Sequence, residues 1–208
     1  MTAPTQDHHR AADLFGGIRP PTPAELQALH HRLEVRAEAE DLLDIAYRTV
    51  DTPVGTLLLA ATRAGLLRVA YQREGLDSVL EGLARQVSPR ILFAPQRTDA
   101  AARQLEEYFA GDRHRFDLPL DLSLSHGFRR TVLAYLPRIR YGMTASYGQV
   151  AAAVDNPRAV RAVGTACATN PLPLIVPCHR VIRTDGLIGS YLAGPEVKQQ
   201  LLDLEATA

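Results

Sequence analysis

The chain has only two cysteines, Cys167 and Cys178, and a single lysine, Lys198, against 22 arginines. Two cysteines cannot build the disulfide framework that staples small secreted domains. Neither has a second cysteine at metal-ligand spacing, and the His8-His9 and His30-His31 pairs stand alone, so no metal is expected. Met1 to Arg19 is polar with no apolar core, and no later run is long enough to span a bilayer. Neither a signal peptide nor a membrane anchor is therefore expected, and a reducing cytoplasm is. The near absence of lysine reads as a bias of base composition and carries no function.

Net charge is also lacking, but the zero hides an asymmetry. Residues 1–119 carry 14 Arg and 17 Asp or Glu; residues 120–208 carry nine Lys or Arg and six Asp or Glu. From Arg129 to Arg183 there are eight arginines and one acid, Asp155. A basic stretch on a neutral chain suits a polyanionic partner.

The pattern divides the 208 residues into three parts. Residues 1–42 form an extension, with Met1 to Pro21 disordered. A helix to about residue 42 follows, with Thr22 as N-cap, Pro23 first, Glu25 closing a capping box and Leu26, Leu29 and Leu33 on one face. Residues 43–122 form an α/β scaffold. Ile45–Val50, Thr56–Thr62 and Leu66–Tyr71 alternate as strands of a small antiparallel meander, and helices over Leu76–Val87 and Thr98–Phe109 follow. Residues 123–208 form a mainly helical domain. Helices are expected from Phe128 to about Arg138, over Tyr147–Val154 with Ser146 as cap, and from about Arg158 to Cys167, the last two outlining a helix-turn-helix.

The chemistry is concentrated in Leu174-Ile175-Val176-Pro177-Cys178-His179-Arg180. The apolar run reads as a short buried strand ended by proline, which has no N–H for a ladder. A thiol, an imidazole and a guanidinium follow it. A cysteine attacks as thiolate, and a neighbouring base or cation lowers its pKa, a service His179 and Arg180 can supply. Taken alone, a Cys-His pair is more often an inert buried thiol beside two solvated neighbours.

The segment resembles the active-site signature of the O6-alkylguanine-DNA alkyltransferases, the methylated-DNA–protein-cysteine methyltransferases. The resemblance extends to Thr144-x-Ser146-Tyr147-Gly148-Gln149-Val150-Ala151, to Arg161-Ala162-Val163-Gly164-x-Ala166 and to Asn170-Pro171. It continues through Gly189-x-Tyr191 and Lys198-x-x-Leu201-Leu202-x-x-Glu205. It implies a winged-helix-like second domain and single-turnover transfer of an alkyl group to Cys178 without cofactor. The substrate would be O6-alkylguanine, less efficiently O4-alkylthymine, flipped from duplex DNA and read through the minor groove. The protein would be a monomer, open to cooperative assembly on DNA.

By the same resemblance, Cys178, a water, His179 and Glu205 form a proton relay, and Tyr147 rotates the nucleotide and donates to the guanine. Arg161 fills the gap in the stack while Ala162, Gly164 and Ala166 admit the DNA backbone. Asn170 braces the turn before the active-site strand, the carbonyls of Cys178 and Val181 accept the guanine amino group, and Tyr191, Leu192 and Cys167 border the alkyl pocket. The sequence departs from the family at Leu133, where tryptophan is usual, at Arg140, where proline is usual, and at Leu192-Ala193, which replaces a smaller pair. Other readings are a lesion-binding module without chemistry, a helix-turn-helix regulator and a Cys-His hydrolase.

Overall fold

The structure, a computed structural model, describes residues 19–207. The disorder expected over Met1–Pro21 falls mostly on residues 1–18, outside the described residues. The chain divides into two compact units after Asp41. The first contributes helix α1, Pro23–Ala39. The hydroxyl of Thr22 accepts the Glu25 N–H, and the Glu25 carboxylate accepts the Thr22 N–H at 2.8 Å, the reciprocal cap expected from the sequence. The helix ends short of residue 42 because Asp41 turns the chain through the left-handed region, at φ 58°.

The second unit opens with β1 (Ile45–Thr52), β2 (Gly55–Thr62) and β3 (Gly65–Tyr71), antiparallel in sequence order. A fourth strand, β4 (Ile91–Phe93), pairs parallel to β1, giving the order β3-β2-β1-β4. The sheet is therefore mixed. Three residues are too few to leave a period in the sequence.

Helices α2 (Leu76–Gln86) and α3 (Asp99–Phe109) follow close to their expected limits. Leu58 and Ala60 of β2 bury with Leu67 and with Leu83 of α2; Leu57 and Leu59 point the other way, onto Leu105 and Tyr108 of α3. Covering both faces explains why β2 reads as a continuous apolar run rather than an alternating one. Gly65, at φ +142°, lies under the 119–120 segment so closely that a Cβ would meet Pro119 O at 2.3 Å.

The rest of the chain is helical. Helix α4 (Gly127–Tyr135) passes into a 3-10 turn over Leu136–Arg138, earlier than expected, since Pro137 has no N–H to continue the α pattern. Strand β5 (Ala145–Ser146) leads into α5 (Tyr147–Ala153), capped by Ser146 and Gln149 as expected. After Asp155, at φ 58°, helix α6 runs Val160–Ala168. Strand β6 (Val181–Ile182) pairs parallel to β5, and α7 (Pro195–Ala206) closes the chain.

No strand forms at Leu174–Val176. That segment is a turn, with Leu174 at φ 73° and the Val176 N–H donating to Leu172 O at 2.8 Å. A leucine in the left-handed region costs about 1–2 kcal/mol, held here by complete burial. The strand lies beyond the cysteine instead, at β6. One core joins the sheet's second face to α4, α5, α6 and the 170–181 loop, and Val69 at the sheet edge donates its N–H to Pro171 O at 2.8 Å.

Candidate active site

Asn170 to Val181 is buried without a break. A buried loop must satisfy its own backbone groups, and Asn170 does much of this. Its Oδ1 accepts the Leu172 N–H at 3.0 Å, and its Nδ2 donates to Val176 O at 2.8 Å and to the Cys178 sulfur at 3.2 Å. The expected brace thus touches the thiol itself. Cys178, His179 and Arg180 form a 3-10 turn rather than an extended segment.

Cys178 is 2% exposed. Burial pushes its thiol up to about 11, opposed by the Asn170 amide and by the charge of Lys198. The resting group is therefore a thiol, and an acceptor for its proton is required before attack. Arg180 does not supply the nearby charge: its guanidinium turns to Glu205, with Nε on Oε2 at 2.8 Å and Nη2 on Oε1 at 2.9 Å, while Nη1 donates to Ile139 O at 2.6 Å. The cation at the thiol is Lys198, fully buried on α7, its Nζ donating to Val181 O at 2.6 Å. The one lysine of the chain is thus part of the site, which corrects its reading as compositional noise. Its singularity was the signal.

Glu205, also on α7, is buried among five donated bonds. Oε1 takes His179 Nε2 at 2.8 Å, Arg180 Nη2 and the Tyr108 hydroxyl at 2.7 Å; Oε2 takes Arg180 Nε and the Gly142 N–H at 3.2 Å. Burial alone would raise this carboxyl, but the hydrogen bonds from His179 and Arg180 hold it at about 2. Gly142 is required here: at φ +72° its Cβ would lie 2.9 Å from Glu205 O. Burial lowers the His179 pKa, against the opposing pull of Glu205, so the imidazole is neutral at ordinary pH. With Nε2–H donating to an ionised carboxylate, Nδ1 is the bare, basic nitrogen, and among the described residues it has no partner.

Tyr147 opens α5, half-buried, with burial pushing its hydroxyl up to about 12; the Lys198 Nζ sits 6.0 Å from its ring centroid. Tyr191 packs edge-on to His179 at 6.4 Å, and its hydroxyl meets that of Tyr71, on β3, at 3.0 Å. Arg73 donates to Ala193 O, tying the loop around Leu192 to the end of β3. Cys167 is buried beside the site, and burial drives its thiol well above the usual range. The expected acceptor carbonyls are already engaged, Cys178 O by the Val181 N–H and Val181 O by Lys198, which leaves one lone pair on each.

On α6, Arg161 and Ala162 are exposed and nothing lies within 4 Å of a Cβ at Gly164, so the helix presents an open, shallow face. Ala166 does not belong to it: it is 1% exposed, packed in the core. Tyr71, Arg73, Tyr108 and Gly142 went unseen in the sequence, since each reaches the site from a distant segment with no local motif.

The family model described as 6-O-methylguanine DNA methyltransferase, ribonuclease-like domain, matches residues 45–122, and the one described as the DNA binding domain of the same family matches residues 127–207. The methylated-DNA–protein-cysteine methyltransferase of Mycolicibacterium paratuberculosis is 42% identical over 170 residues, covering 77% of this chain and 92% of its own length. The constitutive one of Bacillus subtilis is 37% identical over 163 residues, covering 76% and 94%. Among solved structures, Mycobacterium tuberculosis OGT in complex with DNA superposes with a TM-score of 0.67 at 37% identity, covering 78% of this chain and 93% of that one.

Proposed function

The chain belongs to the 6-O-methylguanine-DNA methyltransferase family, and on that footing we propose that it repairs alkylated DNA by drawing O6-alkylguanine out of the duplex and taking the alkyl group onto Cys178. The observation that carries this reading is the pairing of a buried thiol with a buried imidazole whose Nδ1 is free and whose Nε2 is fixed on an ionised carboxylate. Among the described residues no hydrogen bond joins sulfur to imidazole, so a water passes the proton from Sγ to Nδ1, as in other nucleophile–histidine–acid relays. The Sγ–C bond forms as the C–O6 bond breaks. The departing guanine takes a proton from the Tyr147 hydroxyl, leaving a phenolate near the Lys198 ammonium. The proton lost by the thiol rests on His179 Nδ1, and exchange with solvent returns both residues to neutrality once the DNA has left.

The product is a thioether, which no group in the site can cleave, so each protein acts once. Lys198 favours the thiolate by charge. Tyr191, Leu192 and Cys167 border the alkyl chain, and the lip at Leu192-Ala193 favours small groups; O4-alkylthymine is the poorer substrate. Extruding the base costs a few kcal/mol, offset by Arg161 filling the stack from the open face of α6. Minor-groove contact and action in the cytoplasm belong to the same reading; among the described residues no helix is long and apolar enough to cross a membrane. The divisions 1–42, 43–122 and 123–208 serve as extension, scaffold and reacting domain.

The test is incubation with a duplex carrying labelled O6-methylguanine, followed by peptide mass spectrometry. Label on Cys178 in the wild type and none after Cys178→Ser, with duplex affinity retained, is the expected result. Label on Cys167, or on the Cys178→Ser protein, would overturn the assignment. A protein that binds the lesion but never acquires label would be a recognition module instead.

A further inference from the structure

The arginines divide by what they touch. Most are engaged with carboxylates or carbonyls, and those serve the fold. Apart from Arg32 on α1 and Arg130 on α4, the guanidiniums with no such partner among the described residues fall into two groups. One is Arg158, just ahead of α6, with Arg161 on that helix, the latter already assigned to the duplex. The other is Arg115, Arg138 and Arg140, all exposed, which line a single cleft of about 590 Å³.

No aspartate or glutamate lines that cleft. The whole chain carries 23 basic and 23 acidic residues, yet here three guanidiniums without a carboxylate face one concavity and raise mutual repulsion, while the fourth that lines it, Arg180, is answered by Glu205. The remaining surface is flat and apolar: His114 stacks on Tyr141 at 4.2 Å and 23°, and Phe116, Pro137 and Pro177 complete the walls. Guanidiniums suit phosphate oxygens bidentately, and a ring platform beside them suits a base.

We propose that this cleft is a nucleotide-binding site, separate from the α6 face, that takes a phosphate on Arg115, Arg138 and Arg140 and a base against the His114–Tyr141 stack. The ligand is either a free nucleotide or one unit of a DNA strand other than the duplex under repair. Nothing in this depends on alkyl transfer, and it can be tested with unmodified DNA.

The experiment uses the full chain and its Arg115→Ala/Arg138→Ala/Arg140→Ala variant, with Arg161→Ala for comparison. Three probes are titrated: a single-stranded decamer, deoxyadenosine monophosphate and inorganic phosphate. The triple variant should bind the decamer at least tenfold more weakly. Its slope of log affinity against log salt should be shallower by about 2, the value for three single-strand phosphates at ~0.7 each. Transfer from free O6-benzylguanine should not change. Deoxyadenosine monophosphate binding lost in the triple variant and kept in Arg161→Ala points to the free nucleotide; decamer binding alone points to the strand. The proposal fails if affinity and slope match the wild type. It fails equally if inorganic phosphate binds as well as the nucleotide, which would mean an adventitious ion only. Weakened binding of the lesion duplex, in step with the decamer, would make the cleft part of the α6 interface and sink the separate site. Unaltered thermal melting checks that these exposed changes leave the fold intact.

Discussion

The regions 45–122 and 127–207 share one core but contribute to the site in different currencies. Every group assigned to the chemistry, namely Cys178, His179, Glu205, Lys198 and Tyr147, belongs to the second. The first supplies side chains that touch one of those groups and the pocket wall without reacting: Tyr108 on Glu205, Tyr71 on Tyr191, and Arg73 on the loop at Ala193. A scaffold in this protein is therefore not a passive support. It reaches through the shared core and holds the relay and the pocket wall by three polar contacts. The comparison teaches that removing a reacting group and removing the hand that holds it should differ in size, and that difference can be measured.

The largest effect is expected at the relay. Glu205→Gln keeps the shape but faces Arg180 and His179 with a neutral amide. Loss of general-base assistance should slow transfer about 10²- to 10⁴-fold, measured by single-turnover quench. Breaking the buried pair should also cost about 3–5 kcal/mol in a denaturant melt. Next comes Arg161→Ala, which should slow transfer from duplex DNA by tenfold or more, the loss of about 1.4 kcal/mol or more at the extrusion step, and leave free O6-benzylguanine unaffected. Equal losses on both substrates would withdraw its role in extrusion and place it in the pocket or the fold.

Tyr108→Phe asks the same of the first region. It removes one hydrogen bond and no bulk, so transfer should fall about two- to tenfold on duplex and free base alike. A loss as large as that of Glu205→Gln would erase the distinction between reacting and holding residues.

The smallest effect is a tilt in stability with pH. In the fold His179 lies below its ordinary 6.5, and Glu205 lies at about 2 against an ordinary 4.5. Both are depressed, so the unfolded chain binds protons more readily. The histidine contribution is complete above pH 6.5 and is lost as acid is added below it; the glutamate contribution is complete above 4.5 and is lost as pH falls towards 2. The slope is at most about 1.4 kcal/mol per pH unit per proton. Hydrogen exchange at pH 5 should quicken around residues 178–205 before β1–β3, and a uniform response would count against the contrast.

Much of this was legible because local signals and final structure agree. The three-strand meander, the caps at Thr22 and Ser146 and the helices of the second region rest on short-range patterns, and the folded chain keeps them. The meeting of His179 with Glu205 was expected only through the family resemblance, since by itself a carboxylate near the end of the last helix reads as solvated. What stayed hidden is non-local. Tyr108 and Glu205 meet across 97 positions, Tyr71 and Tyr191 across 120, and no period in either segment announces the other. The turn at Leu174 was misread as a strand for a related reason: an apolar run signals burial, and only the surrounding core decides whether the buried backbone is straight.

The seat of Lys198 also has a consequence for the protein as a chemical object. Apart from any α-amine, the folded chain offers amine-directed reagents no target, because its one ε-amine is wholly enclosed against Val181. Acylating esters and lysine-specific endoproteases should therefore be blind to the native state. They would act at a single point, residue 198, each time the last helix comes away from the Cys178 turn. The rate of that one modification is a clock for the opening of the active site, readable by mass without any engineered label.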